Sequence, residues 1–450
     1  MTYSKSIFLF RRDLRLQDNR GLNQALQESE EVIPVFNFDP RQTAKHNYFS
    51  KPGFQFLRAS LLDLDQHLND HASGIHILEG LSHASVLAYA QASHAQAVYV
   101  NRDYTPFSFE RDRQLQVSLA AKGIDFHSVD DALLLPPEFG TKHDGTPYTV
   151  FTPFFRHAST LPPLPVQGLP DHGRFAAEQV DSKVLNLLER RNTENEVTPG
   201  RRGAVAILES LASLGTYDLT RDIPSLAGTS RLSVHLKFGT CSVREVYYQV
   251  ADTLGFNHSL IRQLYWRDFY THIAFYFPSV FGHAFKQKYD LIPWRTNAED
   301  FQRWKEGTTG YPIVDAGMRE LLATGFMHNR VRMIVASFLT KQLLIDWKMG
   351  ERFFAQHLLD YDPCVNNGNW QWSASTGCDA QPYFRIFNPW IQQKKFDPQA
   401  VYIKKWVPEL AAIPSKQIHR LSDDAASGYP RPLIDHQLAR HRALEVFKAC

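Results

Sequence analysis

Residues 7–15 read IFLFRRDLR, a run of four apolar residues followed directly by a charged turn. A short run of β-branched and aromatic residues is typical of a buried strand. A dinucleotide-binding fold would follow such a strand with a glycine-rich turn, G-x-G-x-x-G, whereas the turn here is charged. The stretch therefore predicts the first strand of a parallel sheet, without a dinucleotide pyrophosphate at its first turn.

Further along, the first 130 residues alternate between strand and helix patterns. Apolar runs of the same character lie at 32–38, 75–78 and 97–100, and helical patterns lie at 54–68 and 84–95. Alternation of this kind is typical of βαβ units. Residues 1–130 are therefore predicted to form an α/β domain built on a doubly wound parallel sheet.

The remainder of the chain has two different textures. Prolines crowd the segment 131–200, at Pro136, Pro137, Pro162, Pro163, Pro165 and Pro170. Because proline disrupts helices and strand ladders, this segment is predicted to be a long, mostly irregular connector with one short helix near 185–190. Residues 201–450 are predicted to form an all-α domain, because apolar residues recur at helical spacing in 204–214, 243–254, 260–277, 315–324, 329–347 and 352–359.

Composition excludes several classes of protein. The chain has 450 residues, and 49 basic against 47 acidic side chains give a net charge of +2, so any nucleic-acid contact must come from a local patch. Four cysteines without C-x-x-C spacing predict neither a disulfide framework nor a metal site. No nucleophile elbow or P-loop is present. Without a spanning apolar stretch or a signal peptide, we expect a soluble cytoplasmic or nuclear protein that is not secreted.

Two polar segments of the second half are candidates for a binding site. Residues 228–233 read GTSRLS before a helical stretch, which suits either an anion site or an ordinary helix cap. Arg332 is followed by apolar residues and should be partly buried, so it requires a carboxylate, and Asp360 or Asp362 would supply it. A purely structural ion pair is the alternative interpretation.

Two further segments combine aromatic rings with amides or cations. Residues 366–373 read NNGNWQWS, which suits a flat aromatic ligand held by amides and indoles, or else a turn leading to a packed tryptophan. Cations and rings alternate at 265–267, 383–385 and 390–405, a pattern that suits an unstacked base, or else a solvated charged face. All eight tryptophans lie after residue 260, so the two halves differ chemically.

Taken together, these segments resemble the photolyase/cryptochrome family, and most of all its class I cyclobutane pyrimidine dimer (CPD) photolyases. The matching stretches are 10–15 with 18–19, 228–233, 266–270, 310–316, 327–333, 370–372 and 383–389. They cover essentially the whole chain, in the family's order and spacing. The resemblance implies an α/β antenna domain, a connector and a helical domain that binds FAD.

The resemblance also implies which residues hold FAD and feed it electrons. The implied cofactor contacts are Tyr217, Thr229, Ser230, Arg231, Leu232, Ser233, Gln263, Arg267, Asn329, Arg332, Asp360, Tyr361, Asp362 and Asn366. Among these, Arg332 pairs with Asp360 beside the flavin ring and Asn366 presents a neutral amide to flavin N5. The implied electron chain runs from Trp294 through Trp347 to Trp370. Indoles suit this role because they oxidise readily while remaining packed.

The implied reaction is light-driven repair of UV-damaged DNA by a carbon–carbon lyase. Reduced FAD absorbs blue or near-ultraviolet light and passes one electron to a flipped-out dimer, whose cyclobutane ring then opens. The implied catalytic residues are Asn366, Gln263, Trp266 and Met333. The implied DNA contacts are Arg221, Gln263, Trp266, Arg267, Tyr270, Asn329, Arg330, Trp372, Arg385 and Gln392. A monomer without a metal ion and without membrane contact is expected.

This sequence departs from the family pattern at the dimer pocket. CPD photolyases have a Glu where this chain has Gln263, and an aromatic residue where it has Leu260. Gln at this position resembles the (6-4) photolyases, but those enzymes need two His where this chain has Asn329 and Met333. CPD repair is therefore the prediction, and (6-4) repair is a weaker alternative.

Two questions are left open by the sequence. A cryptochrome that signals and repairs nothing is the main alternative function. It is disfavoured by Asn366 and by a chain that ends at Cys450 without a long polar tail. A second, antenna chromophore could be a folate, from His46-Asn47 and Glu110, or a deazaflavin, from residues 101–106, and an empty site is the third alternative.

Overall fold

The computed structural model describes residues 2–44, 46–171, 174–177, 197–421 and 428–450. Packing divides these residues into two compact units. The first comprises the described parts of Met1–Tyr148, Thr152–Ser213 and Ser230–Phe275, and the second comprises those of Thr149–Phe151, Leu214–Thr229 and Tyr276–Cys450. The division at residues 130 and 200 stays a prediction, since each unit draws on more than one of the three predicted segments. The helix predicted near 185–190 lies outside the described residues.

The first unit contains the predicted parallel sheet. Its strands are β1 (Tyr3–Phe10), β2 (Ser29–Phe38), β3 (His76–Glu79), β4 (Ala97–Asn101), β5 (Asp125–Val129) and β6 (Arg174–Phe175). The order is β3-β2-β1-β4-β5, with every pairing parallel and with β6 added beside β2. The four apolar runs read from the sequence lie in β1 to β4. Strand β5 was not predicted, because its sequence DFHSV mixes polar and apolar residues in too short a run.

Helices cover the strands of this unit, and side-chain caps fix where several of them begin. The helices that connect β1 to β5 in chain order are Arg20–Glu28, Pro40–Thr43, Lys51–Asn69, Ser82–Ala92 and Pro106–Ala120. Asn19, Ser50 and Thr105 each accept a hydrogen bond from a backbone N–H in the first turn of the helix that follows. The apolar faces meet in a core that includes Ile7, Val35, Val98 and Leu115.

The segment 131–200 is mostly irregular where the structure describes it, as predicted, but it contains three short regular elements before Gly200. It contains the helix Phe151–Ala158, a 3₁₀ turn at Pro137–Phe139 and the strand β6. Pro153 does not prevent the helix, because it lies in the first turn, where its missing N–H has no partner to lose. The clustered prolines therefore do not exclude short regular elements within a mostly irregular connector.

A buried ion network joins the charged turn after β1 to a helix of the same unit. Arg15 Nη2 lies 2.6 Å from Asp131 Oδ2, and Arg244 lies 2.9 Å from Asp18 Oδ2 and 2.6 Å from Asp131 Oδ1. All four residues are at most 3% exposed. Burial alone would raise the pKa of Asp131, but the two guanidinium groups lower it to about 2. The charged motif therefore stabilises the fold.

The regular elements of the rest of the described chain are helices. The remaining helices of the first unit are Gly200–Glu209, Ser233–Phe238, Val243–Leu254 and Ser259–Tyr276, the last of which ends at the boundary. Those of the second unit are Tyr217–Thr220, Ala298–Glu306, Pro312–Thr324, Asn329–Ser337, Trp347–His357, Pro363–Ala374, Pro389–Phe396, Val401–Trp406, Ser415–Ile418 and His436–Ala449. The described part of the second unit has no strand, as predicted.

One helical prediction and one of two alternative interpretations in the second half were wrong. The pattern at 329–347 is not one helix: Asn329–Ser337 continues as a π-helical turn, Phe338–Gln342, and Leu344 adopts a positive φ before a new helix begins at Trp347. Within the π-helical turn, the amine of Lys341 donates to Ala374 O (3.0 Å), and burial lowers its pKa well below the usual value. The π-helical turn thus places a buried amine at the C-terminal end of the helix Pro363–Ala374.

The segment around Gly368 is also helical throughout and is not a turn. The helix Pro363–Ala374 begins with proline and is capped by Asp362, whose Oδ1 accepts from Cys364 N (3.0 Å) and Val365 N (3.2 Å). A strong cap followed by proline at the first helical position outweighs one interior glycine, which costs only about 1 kcal/mol. The amides and indoles of this segment therefore stand on a rigid element.

Candidate active site

Arg332 pairs with Asp360 in the second unit. Arg332 Nη2 lies 2.9 Å from Asp360 Oδ2, and Arg332 Nε donates to Met327 O at 2.7 Å. The carboxylate is 4% exposed, whereas the arginine side chain retains 24% of its surface. The choice between Asp360 and Asp362 is therefore resolved in favour of Asp360, and Asp362 caps a helix instead. Arg332 and Asp360 form an ion pair that is buried on one side and open on the other.

Asn366 is held by a carboxylate that the sequence reading missed. Its Nδ2 donates to Glu351 Oε1 (2.9 Å) and to Glu351 O (3.3 Å), and the two residues are 9% and 5% exposed. An ionised carboxylate only accepts hydrogen bonds, so it selects the NH₂ group and leaves Asn366 Oδ1 as an acceptor. No spacing signal connects Glu351 to Asn366, because they lie on different helices.

The exposed face at the start of the helix Asn329–Ser337 presents three predicted site residues. Asn329 is exposed, Arg330 and Met333 are half-buried, and Asn329 Nδ2 lies 4.0 Å from Met333 Sδ. His328 accepts from Arg330 N through its side chain and thereby caps the helix. Because these side chains project from one helical face, they can contact one ligand together.

The segment 214–229 places three more predicted residues, Tyr217, Arg221 and Thr229, in the second unit. Tyr217 is 8% exposed, and burial raises the pKa of its phenol. The Arg221 guanidinium lies 5.6 Å from the Tyr217 ring centroid. Gly228 is packed so closely on Thr220 that a Cβ would lie 2.8 Å from the Thr220 carbonyl oxygen. This close approach fixes the backbone that leads to Thr229.

Residues 230–233 belong to the first unit and lead into the helix Ser233–Phe238. Arg231 adopts a positive φ of 56°, Ser230 is half-buried and Ser233 is exposed. Leu232 occupies the N-cap position without a side-chain cap, although its N–H lies 3.4 Å from Ser230 Oγ. The segment thus combines hydroxyl groups with backbone N–H groups at a helix start, a chemistry that suits phosphate oxygens.

Four predicted residues lie on the helix Ser259–Tyr276 of the first unit. Gln263 and Trp266 are half-buried, and the Trp266 ring lies 5.7 Å from Phe269 and 5.5 Å from Tyr270. Tyr270 itself is 5% exposed and has little surface for a DNA contact. Arg267 is used inside the unit, because its Nη1 donates to Ala132 O at 2.6 Å and its Nη2 to Leu236 O at 3.5 Å.

The predicted tryptophan chain lies within the second unit. Trp370 and Trp347 are 2% and 3% exposed, and Trp294 is partly buried against the same core. Gly350 makes room for the Trp370 indole, since a Cβ there would lie 2.2 Å from Trp370 Cη2. Trp304, which the sequence reading did not select, is fully buried with its ring centroid 6.2 Å from that of Trp370. Trp370 therefore has a tryptophan neighbour outside the predicted chain.

The remaining predicted DNA contacts have accessible surface. Arg385 is exposed, and Trp372 and Gln392 are half-buried. Phe384, next to Arg385, is 56% exposed, which is unusual for a large apolar side chain. This surface of the second unit thus offers both charge and an aromatic ring.

The residues considered for an antenna chromophore are engaged within the first unit. Glu110 pairs with Arg113 at 2.8 Å and accepts from Gln114, and His46 Nδ1 accepts from Tyr48 N. Asn101 Nδ2 donates to Asp13 Oδ2 (2.6 Å) and Asn19 Oδ1 (2.8 Å). These contacts favour neither folate nor deazaflavin.

The polar groups of the second unit fit a flavin ring, because they comprise an open-sided guanidinium–carboxylate pair and an amide oxygen whose orientation is fixed. Among the described side chains, no group of three or more His, Cys, Asp or Glu is placed to hold a metal ion. Across the same residues, no helix is both long and apolar enough to cross a bilayer.

Comparison with known proteins identifies the family. The family model described as the FAD binding domain of DNA photolyase matches residues 260–449, and the model described as DNA photolyase matches residues 6–170. Proteins named deoxyribodipyrimidine photo-lyase from Alkalihalophilus pseudofirmus, Synechococcus and Escherichia coli are 37%, 38% and 35% identical to this chain. Each alignment covers at least 96% of this chain and at least 94% of the relative.

Solved structures show the same fold. An archaeal photolyase from Sulfolobus tokodaii with two FAD molecules has a TM-score of 0.90 at 42% identity, covering 99% of this chain and all of that one. A class III photolyase from Agrobacterium tumefaciens has a TM-score of 0.90 at 34% identity (100% and 98%), and a cryptochrome from Synechocystis has 0.89 at 29% (98% and 99%). The chain therefore belongs to the photolyase/cryptochrome family, and its second half contains the FAD-binding domain of that family.

Proposed function

We propose that this protein is a photolyase that uses light to split cyclobutane pyrimidine dimers in DNA, with FAD as its cofactor. The observation that carries the proposal is the orientation of Asn366, whose NH₂ group is held by Glu351 while its oxygen remains an acceptor. The function agrees with relatives named deoxyribodipyrimidine photo-lyase that match nearly the whole chain.

The chain's own residues bind the cofactor and tune it. When bound in its reduced form, FAD supplies a light-driven transfer of one electron to the dimer. Asn366 Oδ1 can accept a hydrogen bond from a flavin N–H, and Glu351 keeps the amide in the orientation that allows it. Arg332 with Asp360 would flank the ring, with Tyr361 and Asp362 beside them. Tyr217 and residues 229–233 would bind the ribityl and diphosphate groups.

Damaged DNA would be recognised by aromatic and amide side chains and by local basic residues. In the first unit, Trp266 offers a flat ring and Gln263 an amide; in the second unit, Trp372 offers a flat ring and Met333 an apolar contact. The backbone contacts would come from Arg221, Arg330, Arg385 and Gln392. Because the net charge is only +2, the affinity for DNA depends on these local charges.

Electrons would reach the flavin through tryptophans of the second unit. Trp370 and Trp347 are buried, whereas Trp294 is partly exposed and can exchange electrons with an external reductant. Trp304 touches Trp370 without being part of this chain. It therefore offers a matched control for substitutions in the chain.

The test is illumination of the purified protein with two damaged oligonucleotides. After photoreduction, one sample receives a duplex with a CPD and the other a duplex with a (6-4) photoproduct, and both have dark controls. Light-dependent restoration of the CPD strand is expected, with no change in the (6-4) strand. The protein is expected to elute as a monomer. Failure to bind FAD, or failure to split CPDs while photoreducing normally, would contradict the proposal.

A blue-light photoreceptor is the second candidate, favoured by the fold shared with the Synechocystis cryptochrome. The same experiment separates the two functions. A receptor would photoreduce its flavin and bind undamaged and damaged DNA equally, without restoring either lesion. The Asn366 position instead favours repair.

A second flavin in the first unit is a further candidate, because the Sulfolobus relative contains two FAD molecules. The measurement is the molar ratio of FAD to protein after heat release. A ratio near two would support a flavin antenna, and a ratio near one would leave the antenna site to another chromophore or to none.

A further inference from the structure

The guanidinium of Arg330 lies between a carboxylate and an aromatic ring in the second unit. Its Nη2 is 2.8 Å from Asp222 Oδ2, and its central carbon is 4.4 Å from the centroid of Phe396. The amine of Lys395 lies 5.1 Å from the same centroid. We call these four residues the Phe396 cluster. It contains two cations and one carboxylate around one ring.

Burial is uneven across the Phe396 cluster. Phe396 is 7% exposed, whereas the side chains of Arg330 and Asp222 are 18% and 36% exposed and Lys395 is exposed. The Nε of Arg330 is buried and has no hydrogen-bond partner among the described residues. The ring fixes the plane of the guanidinium, and Asp222 binds one of its outer N–H groups. The solvent-facing part of the pair is therefore accessible to another anion.

The pair alters how the surface attracts DNA. An arginine already paired with a carboxylate contributes little net field, so its attraction for a phosphate is reduced by the neighbouring negative charge. A phosphate that reaches Arg330 must either share the guanidinium with Asp222 or displace it. The whole chain has a net charge of only +2, so its attraction for DNA depends on a few local cations. One carboxylate beside such a cation substantially reduces the local positive charge.

We propose that Asp222 is an internal competitor of DNA phosphate for Arg330, and that it limits the affinity of the protein for duplex DNA whether or not a lesion is present. The inference rests on the proposed function, because it requires DNA to be the partner. The biochemical consequence is shorter residence on undamaged duplex, which is the large excess of DNA that a repair protein meets.

The test is the substitution Asp222→Asn. Asparagine keeps an oxygen that can accept from Arg330 Nη2, so the orientation is retained while the charge is removed. Affinity for undamaged and for CPD-containing duplexes is measured by fluorescence anisotropy in the dark, over a series of salt concentrations. Both affinities should rise about two- to fivefold, as expected for a partly exposed ion pair. The salt slope should steepen by at most about one.

A matched control and a double-mutant cycle separate competition from simple repulsion. Asp218→Asn removes the same charge from an exposed position in the same segment, and should change affinity less than about twofold. Asp222→Asn is then repeated in an Arg330→Gln background. Competition predicts that most of the gain disappears there, whereas simple repulsion predicts an undiminished gain. An undiminished gain, or unchanged or weaker binding by Asp222→Asn alone, would overturn the proposal.

The same samples distinguish failure of this inference from failure of the proposed function. Each variant is checked for FAD content and thermal unfolding, so that a folding defect is recognised. If the wild-type protein splits CPDs in light and Asp222→Asn binds DNA as the wild type does, only the role of Asp222 is lost. If the wild type neither binds DNA nor splits CPDs, the proposed function and this inference are both rejected.

Discussion

Two arginine motifs of this protein use their charges in opposite ways. In the first unit, Arg15 and Arg244 pair with Asp18 and Asp131, and all four side chains are at most 2% exposed. In the second unit, Arg332 pairs with Asp360 but retains 24% of its side-chain surface. The closed network can only stabilise the fold, whereas the open pair also presents a face to a ligand. The two roles differ in how completely the ion pairs are buried, and not in whether charges are present.

Breaking the closed network should give the largest effect. Arg244→Met leaves Asp18 and Asp131 buried with only Arg15 to compensate them, and should lower the free energy of unfolding by about 3–5 kcal/mol. Denaturant unfolding followed by circular dichroism measures this loss. The matched control is Arg319→Met, whose partner Glu409 is 26% exposed and whose loss should cost about 1 kcal/mol or less. Equal losses in the two variants would contradict the distinction between closed and open pairs.

Breaking the open pair should lower the stability of the protein less, but it should also weaken FAD binding. Asp360→Ala leaves Arg332 without its carboxylate, and because the arginine is partly solvated we expect a loss of roughly 2–3 kcal/mol. FAD should be released or bound weakly, because the guanidinium is no longer fixed beside the ring. The measurements are the FAD absorbance of the purified protein and its recovery on adding FAD. Normal FAD content in a stable Asp360→Ala protein would exclude this role.

Around the closed network, the sequence predicted the strand but not the ion pairs. Residues 7–10 were identified as a strand from their apolar run, and they lie in the strand Tyr3–Phe10. The absence of a dinucleotide at the turn that follows stays a prediction. Nothing in the spacing indicated that Arg15 would meet Asp131 and Arg244, which lie 116 and 229 positions further along the chain. Such pairs form by tertiary packing, and local patterns contain no information about them.

A buried histidine of the first unit is expected to make the stability of the protein depend on pH. Burial lowers the pKa of His272 to about 4, while hydrogen bonds with the Pro137 and Tyr148 backbones partly oppose that shift. The unfolded chain binds a proton near pH 6.5, and the folded chain does so only near pH 4. Stability from this residue is therefore present above pH 6.5 and falls as the pH drops toward 4, by about 2 kcal/mol between pH 8 and pH 5.

The pH effect is isolated with one substitution. His272→Gln removes the titrating ring, so the difference in unfolding free energy between wild type and variant should shrink or reverse as the pH falls. Thermal or denaturant unfolding at several pH values measures it. A difference that stays constant from pH 8 to pH 5 would show that His272 does not titrate in this way.

The tryptophan chain gives a prediction about rate. Trp347→Phe should slow photoreduction of oxidised FAD at least about tenfold, because phenylalanine is much harder to oxidise than tryptophan. Repair by chemically pre-reduced protein should be almost unchanged, since the chain only loads the flavin. Trp304→Phe is the matched control and should photoreduce at nearly the wild-type rate. Wild-type photoreduction by Trp347→Phe would show that the chain runs elsewhere, for example through Trp304.

The second unit shows what sequence reasoning can find in a site and what it misses. A general rule predicted a carboxylate partner for Arg332, because a partly buried guanidinium requires one, but it left Asp360 and Asp362 open. Most other site residues came from resemblance to a family. Glu351 and Trp304 were missed, because their importance depends on which helix packs against the one that contains Asn366 and Trp370. A turn at Gly368 was one of two interpretations of residues 366–373, and the helix Pro363–Ala374 excludes it.

The smallest expected effect comes from Gln263, where the chain departs from the pattern of CPD photolyases. Gln263 is half-buried, and its Nε2 makes a long contact of 3.4 Å with Ser259 O, so its amide retains hydrogen-bonding capacity. A glutamate of the same length could accept a hydrogen bond from a pyrimidine N3–H and share a proton with the dimer. Glutamine keeps one acceptor oxygen and adds an NH₂ donor suited to a pyrimidine O4, but supplies no titratable proton.

Gln263→Glu should therefore raise CPD repair modestly and leave FAD binding unchanged. The gain should be about one hydrogen bond, roughly 1 kcal/mol or a factor of about five in affinity, and repair should become more dependent on pH. Neither form should repair (6-4) lesions, because Asn329 and Met333 offer no imidazole to protonate them. Single-turnover repair of both lesions is measured at matched photon dose. An unchanged or lower CPD yield in Gln263→Glu would mean that the amide suits this pocket better than a carboxylate does, and (6-4) repair by the wild type would replace the CPD assignment.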